Sequence, residues 1–369
     1  MKKIFKILKV FLIIIVVLII VGVLLVMFYK PLGGIPSKKD IADYEKRAVN
    51  MKNGKFYNDD FSMYSDYKDK YSDRTTGKGT TPKEKLKSEK FNYISDYDKD
   101  DVLITWFGHS TVLIQIHGKN ILVDPVFSDR TSPVSFIGPK RYSTLPASID
   151  DLPDIDIILL THDHYDHVDY KSLKKLSKKT DKFIVPLGID KDLEKFGINK
   201  DKITNMAWWE EYKDDGIVVA CTPSRHFSGR FLFDSSTTLW SSWIIKDEYN
   251  TIFDSGDTGY GDHFKEISEK YNDISLSLLD SSQYNERWHS VHMFPEEAVQ
   301  ASIDLKTKVA MAVHWGAFVL SNHAWDDPAD RFTRRALEEN VEYMQPKLGQ
   351  TVSLKEYKKY QEKWWKEIE

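Results

Sequence analysis

Hydrophobic positions are spread very unevenly along the chain. Val10 to Phe28 is an unbroken apolar run without a charge. As a helix it spans about 28 Å, close to the ~30 Å of bilayer hydrocarbon. Lys2, Lys3, Lys6 and Lys9 precede it, and the first alanine of the chain is Ala42, so no small-residue cleavage pattern follows. A retained transmembrane anchor over 10–29 is therefore expected rather than a cleaved signal peptide. The lysines of 1–9 put that end in the cytoplasm and the rest of the chain outside the cell membrane, as a single-pass topology.

Pro31, Gly33, Gly34 and Pro36 then break the pattern into turns. Up to residue 100 the chain is dense in Lys, Asp, Tyr and Ser with both signs of charge mixed, which reads as a juxtamembrane linker and wrapping arm over 30–100. Asn53-Gly54 is a turn signal inside it, and 75–82 reads as a loop.

From residue 101 the texture changes to short apolar runs. Strands are expected at 102–107, 111–116, 120–123, 155–160, 183–186, 217–222, 239–245, 251–253, 274–279 and 309–313. Helical patterns fall at 170–176, 190–196, 263–271, 295–303 and 328–339, with Pro295 suited to a first helical turn. Strands that arrive in runs and then alternate with helices predict a layered α/β domain, sheets inside and helices outside, over 101–350. Residues 351–369 read as a C-terminal helix with Tyr357, Tyr360, Trp364 and Trp365 near one face. That face either docks on the domain or lies in the membrane interface.

Composition narrows the chemistry. Apolar residues make up 41% and aromatics 13% of 369 residues, enough for a core and against disorder. A net charge of −4 offers no basic field for nucleic acid. Cys221 is the sole cysteine, which excludes an internal disulfide and a thiolate zinc cluster, so any metal must be held by His and carboxylates.

Thr161-His162-Asp163-His164-Tyr165-Asp166-His167 supplies such donors directly behind the 155–160 strand. Neither a strand nor a helix presents them all on one face, but a tight loop brings them to one point. Neutral imidazoles with a carboxylate suit Zn²⁺, and manganese or iron accept much the same set. Three further donors each lie just past an apolar run: His226, Asp257 in Gly256-Asp257-Thr258-Gly259, and His314.

These stretches resemble the metallo-β-lactamase fold superfamily. Trp106-Phe107-Gly108-His109-Ser110, Gly138-Pro139-Lys140-Arg141-Tyr142, Trp208-Trp209-Glu210-Glu211, Leu239-Trp240-Ser241-Ser242-Trp243 and Pro295-Glu296-Glu297 narrow the likeness to the N-acyl-phosphatidylethanolamine-hydrolysing phospholipase D family. It covers roughly 50–350. The resemblance implies an αβ/βα sandwich and two zinc ions. It assigns one to His162, His164 and His226, and the other to Asp166, His167 and His314, with Asp257 between them. It implies attack on phosphorus by a hydroxide shared by the metals, with Asp166, Asp257 and His292 serving catalysis. His292 would bind a phosphate oxygen or protonate a leaving alkoxide. Asp124 resembles the acid that orients a ligand. His109, His117, His263, His289 and His323 are expected to be structural or surface residues.

The family's Pro-x-Gly-Ala-Tyr stretch is Asp280-Ser281-Ser282-Gln283-Tyr284 here, which leaves the substrate open. The leading expectation is a membrane-anchored hydrolase of a lipid phosphodiester. An ester or lactone hydrolase on the same metals is the alternative. A tethered binding protein without turnover is a third reading, against which the full donor set counts.

Overall fold

The computed structural model describes residues 2–58, 78–231 and 234–368. The apolar run forms helix α1 (Lys2–Phe28). Its window Lys3–Leu24 is long and apolar enough to cross a membrane, and none of that window is buried against the rest of the molecule. The arm is more ordered than mixed charge suggested. A capping box between Ser37 and Asp40 starts helix α2 (Lys38–Arg47), and Asn53-Gly54 turns strands β1 (Met51–Lys52) and β2 (Lys55–Phe56) into a hairpin. Tyr44 and Phe56 bury against Leu187, Leu239 and Trp240, and Arg47 forks onto Glu210. Residues 59–77 of the arm, including the start of the expected 75–82 loop, lie outside the described residues.

Two sheets follow in chain order. The first uses β3 (Val102–Trp106), β4 (Val112–Ile116), β5 (Lys119–Val123), β6 (Ile155–Leu159), β7 (Thr180–Pro186) and β8 (Ile203–Met206). The second uses β9 (Glu211–Asp214), β10 (Ile217–Thr222), β11 (Ser242–Lys246), β12 (Thr251–Asp254), β13 (Leu276–Asp280) and β14 (Val309–Val313). A last strand, β15 (Thr351–Ser353), returns to the first sheet beside β3. Their orders are β15-β3-β4-β5-β6-β7-β8 and β14-β13-β12-β11-β10-β9. β5 to β8 and β12 to β14 pair in parallel, the rest antiparallel.

The parallel strands read as continuous apolar runs because both faces are covered. Between the sheets, Ile104, Ile114, Ile121 and Ile157 meet Val219, Trp243, Ile252 and Met311 in one core. On the outer face of the first sheet lie α3 (Tyr170–Leu176) and α4 (Ile189–Phe196); α5 (His263–Lys270), α6 (Pro295–Asp304) and α7 (Asp327–Glu338) cover the second. The result is the four-layer αβ/βα sandwich expected from the sequence.

Besides β1 and β2, three strands of the two main sheets went unread: β8, β9 and β15 are short or polar, and the ladder alone places them. The expected helix over 351–369 is corrected to β15 and two 3₁₀ segments, Leu354–Tyr360 and Trp364–Glu367. The chain has just paired as β15 with β3, and short 3₁₀ turns keep the residues that follow close against that core. Here Trp364 and Trp365 are both buried around Trp315, at ring distances of 5.6 and 5.7 Å, and their indole N–H groups donate to Gln345 O and Asp330 Oδ1. The aromatic face therefore docks on the domain, and the expected boundary at 350 cuts through the first sheet. Trp365→Ala is expected to lower the unfolding free energy of the full chain by about 3–5 kcal/mol, read from denaturant midpoints in detergent. An interfacial tryptophan would leave that midpoint unchanged.

Candidate metal centre

Every strand that carries a donor delivers it to the same end of the sandwich. β6 runs into Thr161–His167, a turn closed by the His167 and Val168 amides donating to His164 O. β10 leads to His226, β12 to Asp257, β13 ends on Asp280 and β14 leads to His314. The two sheets are stitched there by Ser241 N to Thr161 O at 2.9 Å and His314 N to His109 O at 3.0 Å. Gly256 has φ +53°, and a Cβ on it would sit 2.8 Å from both Ser241 O and Thr161 Cβ, so only glycine lets this turn lie against the metal loop. His109, Asp124 and His314 also hold positive φ, at 55°, 41° and 72°, a concentration of backbone strain at one site.

The donor atoms gather in two groups that share Asp257. In the first, His162 Nε2 lies 2.9 Å and His226 Nε2 3.3 Å from His164 Nδ1, while Asp257 Oδ2 is 3.6 and 3.8 Å from His162 and His226. In the second, Asp166 Oδ2 is 3.5 Å from both His167 Nε2 and His314 Nε2 and 2.8 Å from His109 Nε2. Asp257 reaches this group too, with Oδ2 3.2 Å from His167 Nε2 and Oδ1 3.3 Å from His314 Nε2.

The far side of four of the five donor rings is fixed by a partner. His167 Nδ1 donates to Asp124 Oδ2 at 2.6 Å, His226 Nδ1 to Val291 O at 3.1 Å and His314 Nδ1 to Asp280 Oδ1 at 3.1 Å. His162 Nδ1 lies 3.0 Å from Thr161 Oγ1, which in turn donates to Asp124 at 2.6 Å. Such partners set the tautomer that leaves Nε2 for a metal. His167 Nε2, His314 Nε2 and Asp257 Oδ1 are buried without a hydrogen-bond partner. Buried polar atoms are rarely left so. Their convergence on one another makes the donor set fit a metal pair.

Charge follows the same division. Burial, helped by neighbouring imidazoles, holds His162 and His226 well below the usual histidine range, so they are neutral donors. Burial pushes the same way on His314 and His167, but the carboxylates win. Asp257 and Asp280 carry His314 up to about 10; Asp257, Asp166 and Asp124 carry His167 well above its usual range. Against burial, His167 and His314 hold Asp257 well below the ordinary carboxylate range.

A cavity of about 350 Å³ opens onto the groups. His164, Asp166, Asp257, His292 and His314 line it together with apolar Phe227, Trp288, Val291 and Leu320. His292 stacks on His314 at 5.2 Å, its Nδ1 2.9 Å from Asp280 Oδ2. Gln283 closes one wall: its amide donates to His314 O and Phe318 O and accepts from Leu320 and Ser321.

All seven expected metal donors thus converge at one end of the sandwich; His164, Asp166, Asp257 and His314 line the cavity with His292, and Asp124 lies behind His167. Two residues were missed. His109, expected to be structural, is fully buried and bonded to Asp166; its position in the turn after β3, matching the strand-end placement of the other donors, was the available signal. Asp280 is the other, and it holds His292 and His314 together. Asp257, Asp280, His292 and His314 also lie close enough to form a third donor group, and His117, His263, His289 and His323 stand outside all three.

Comparison with known proteins follows this geometry. Residues 119–315 match the model of a "Beta-lactamase superfamily domain". The chain is 38% identical over 259 residues to an uncharacterized protein of Mycobacterium tuberculosis, covering 69% of each. It is 33% identical over 273 residues to N-acyl-phosphatidylethanolamine-hydrolyzing phospholipase D 1 of Caenorhabditis elegans, covering 70% of this chain and 75% of that one. Among solved structures, Igni18, a metallo hydrolase of Ignicoccus hospitalis, shares the fold with a TM-score of 0.54 at 24% identity, over 69% of this chain and 98% of the other. The chain belongs to the metallo-β-lactamase superfamily as a metallo-hydrolase related to the N-acyl-phosphatidylethanolamine-hydrolysing phospholipases D.

Proposed function

We propose that this chain is a membrane-anchored, two-zinc phosphodiesterase acting on a lipid such as an N-acyl-phosphatidylethanolamine. The observation that carries the reading is the pair of donor groups sharing Asp257 beneath an apolar rim. In it, His162, His164 and His226 hold one zinc, and Asp166, His167 and His314 the other. Asp257 reaches both, and its negative charge offsets the repulsion between two dications. Bound zinc supplies Lewis acidity toward the substrate's oxygens and a nucleophile drawn from water at neutral pH.

The chain's own residues do the rest. Asp166 and Asp257 keep the donor groups at a fixed spacing, Asp166 with His109 bonded to it. His292 has Nδ1 committed to Asp280, which leaves Nε2 to bind a phosphate oxygen or to pass a proton to the leaving alkoxide. Phe227, Trp288, Val291 and Leu320 exclude water and accept the apolar part of a lipid. An anchor over 10–29, with 1–9 cytoplasmic and a catalytic domain from 101 onward outside, keeps that rim at high local lipid concentration. The likeness to the Caenorhabditis elegans phospholipase supports the lipid phosphodiester. The Asp280–Gln283 wall, where the family pattern is lost, is the observation that favours the ester or lactone reading.

Full-length protein purified in detergent with zinc is expected to carry about two zinc ions per chain by elemental analysis; a metal-free protein overturns the reading. Loading is expected to release protons. His167 and His314 are raised above neutrality, so the metal-free site holds protons there, and zinc takes the deprotonated nitrogens. Zinc affinity therefore falls as pH falls, and calorimetry in buffers of different ionisation heat reads the protons released.

The substrate is settled by assaying the full chain on vesicles of N-acyl-phosphatidylethanolamine beside an ester and lactone panel. Phosphodiester turnover is expected, and Asp257→Ala is expected to abolish it with an unchanged melting temperature. Turnover confined to the ester and lactone arm removes the phosphodiesterase assignment.

Asp280→Asn tests the orienting carboxylate. It is expected to lower kcat about 10–100-fold, with KM and melting temperature held and the pH profile shifted. An unchanged kcat leaves Asp280 a structural residue only.

A further inference from the structure

The segment leaving α1 is bolted to the catalytic domain. Tyr29 Oη donates to Pro133 O at 2.6 Å, Gly34 N to Asp192 Oδ1 at 2.7 Å, and Arg230 Nη2 to Pro31 O at 2.9 Å. A Cβ on Gly33 would meet Asp192 Oδ1 at 2.1 Å, and one on Gly34 would meet Lys191 O at 2.2 Å, so the two backbones are in direct contact. Glycines that read as a flexible linker in sequence serve here as a close-packed joint.

Around that joint the surface is apolar and uncovered. Phe136 and Ile137, on the loop held by Tyr29, are 81% and 62% exposed; Phe28 and Ile35, on the leaving segment, are 74% and 71% exposed. Single exposed apolar residues are ordinary, but four gathered where an apolar helix ends are not. A recess of about 950 Å³ separates Phe28–Pro31 from this loop, and Lys30, Arg130 and Lys171 stand on its walls with Asp129 and Asp169. Apolar tips beside a mixed-charge recess in which cations outnumber carboxylates match the headgroup boundary of a bilayer.

The joint also touches the metal loop. Arg230 Nη1 donates to Asp163 O at 2.5 Å and Val168 O at 3.0 Å, on either side of the His164–His167 turn. Its backbone N–H is held by Asp234, and Tyr165 Oη donates to its carbonyl. His226 lies four residues before it, with Phe227 packed on His164 at 4.6 Å. The edge of the sandwich that carries the donors is thus the edge on which α1 ends.

We propose that the loop over 128–138 seats Phe136 and Ile137 in the lipid interface beside α1, so that the catalytic domain rests on the bilayer by its donor-bearing edge. The proposal rests on the reading of α1 as a membrane anchor. Its occupant is the headgroup and upper acyl region of the bilayer itself. A lipid then reaches the cavity by sliding along the surface, without leaving the membrane for water.

Cys221 is the sole cysteine and is buried, so an introduced cysteine takes a spin label alone. Full-length Phe136→Cys is labelled in nanodiscs of phosphatidylcholine and phosphatidylglycerol, and its collisions with oxygen and with a water-soluble nickel chelate are measured. Lys358→Cys is the aqueous reference, on an exposed side chain beside Glu342 at the opposite end of β14. Leu18→Cys reports on α1. The label at 136 is expected to collide with the nickel chelate about threefold less often than the label at 358 and to favour oxygen. Equal nickel accessibility at 136 and 358, with the label at 18 in the hydrocarbon, overturns the seating and leaves the anchor standing. A label at 18 that is open to nickel overturns both.

Discussion

The donor-bearing end of the sandwich depends on one balance: the carboxylates of Asp124, Asp166, Asp257 and Asp280 against seven buried or nearly buried imidazoles. Asp124, Asp166, Asp257 and Asp280 have almost no water contact. A buried charge without a partner costs several kcal/mol. Each carboxylate is therefore bracketed: Asp124 by Thr161 and His167, Asp166 by His109, His167 and His314, Asp280 by His292 and His314. Asp257 is the exception that explains the rest. Its Oδ1 has no donor although it lies between two imidazole groups, and a cation is the group whose charge and valence complete that arrangement.

That balance requires the sheets to be held in register at one end to within a fraction of an ångström. The physical means are backbone contacts rather than more packing. His314 N donates to His109 O and His109 N to Trp315 O, joining the turn after β3 to the end of β14; Thr161 accepts from Ser241, and Gly256 lets β12 close against the metal loop. Left-handed backbone at His109, Asp124 and His314 is the cost, and residues in such conformations persist only where the surroundings over-determine them. Arg230 extends the same scaffold outward, joining the carbonyls that flank the metal loop to the segment leaving α1.

What was legible in the sequence follows from the range of the forces involved. Apolar periodicity reports burial, so the main strands, the covering helices and a layered α/β domain could be read directly, while the αβ/βα arrangement came from the family resemblance. So could the donors of 162–167, because they sit together in one turn. β9 is exposed and polar at Glu211–Asp214 and exists because Ile217–Thr222 offers it a ladder, a partner no local pattern reveals. His109 is the instructive miss. It lies in a short turn of a hairpin, where a histidine is ordinarily a solvent-facing residue, and its role appears only when β14 brings His314 within 4.2 Å of its ring. Asp280 was masked for the opposite reason: inside an apolar strand it reads as the polar end, and both of its histidines come from distant segments.

The stretch from Asp280 to Tyr284 then separates what this chain shares with its family from what is its own. The seven expected donors all lie outside it, but Asp280 holds the His314 ring from behind. Where the family pattern has proline, which offers no side-chain acceptor, Asp280 bonds His292 with one oxygen and His314 with the other, coupling a substrate-facing ring to a donor ring. Where the pattern has alanine, Gln283 makes hydrogen bonds across the 314–321 loop and fixes the wall that carries Leu320. A methyl group could do neither. Discrimination between substrates comes from the groups that meet the part of the molecule not undergoing reaction. Two side chains that stiffen one wall and set the charge beside His292 therefore shape the side of the cavity away from the donors, and Asp280 reaches the donor groups as well through His314.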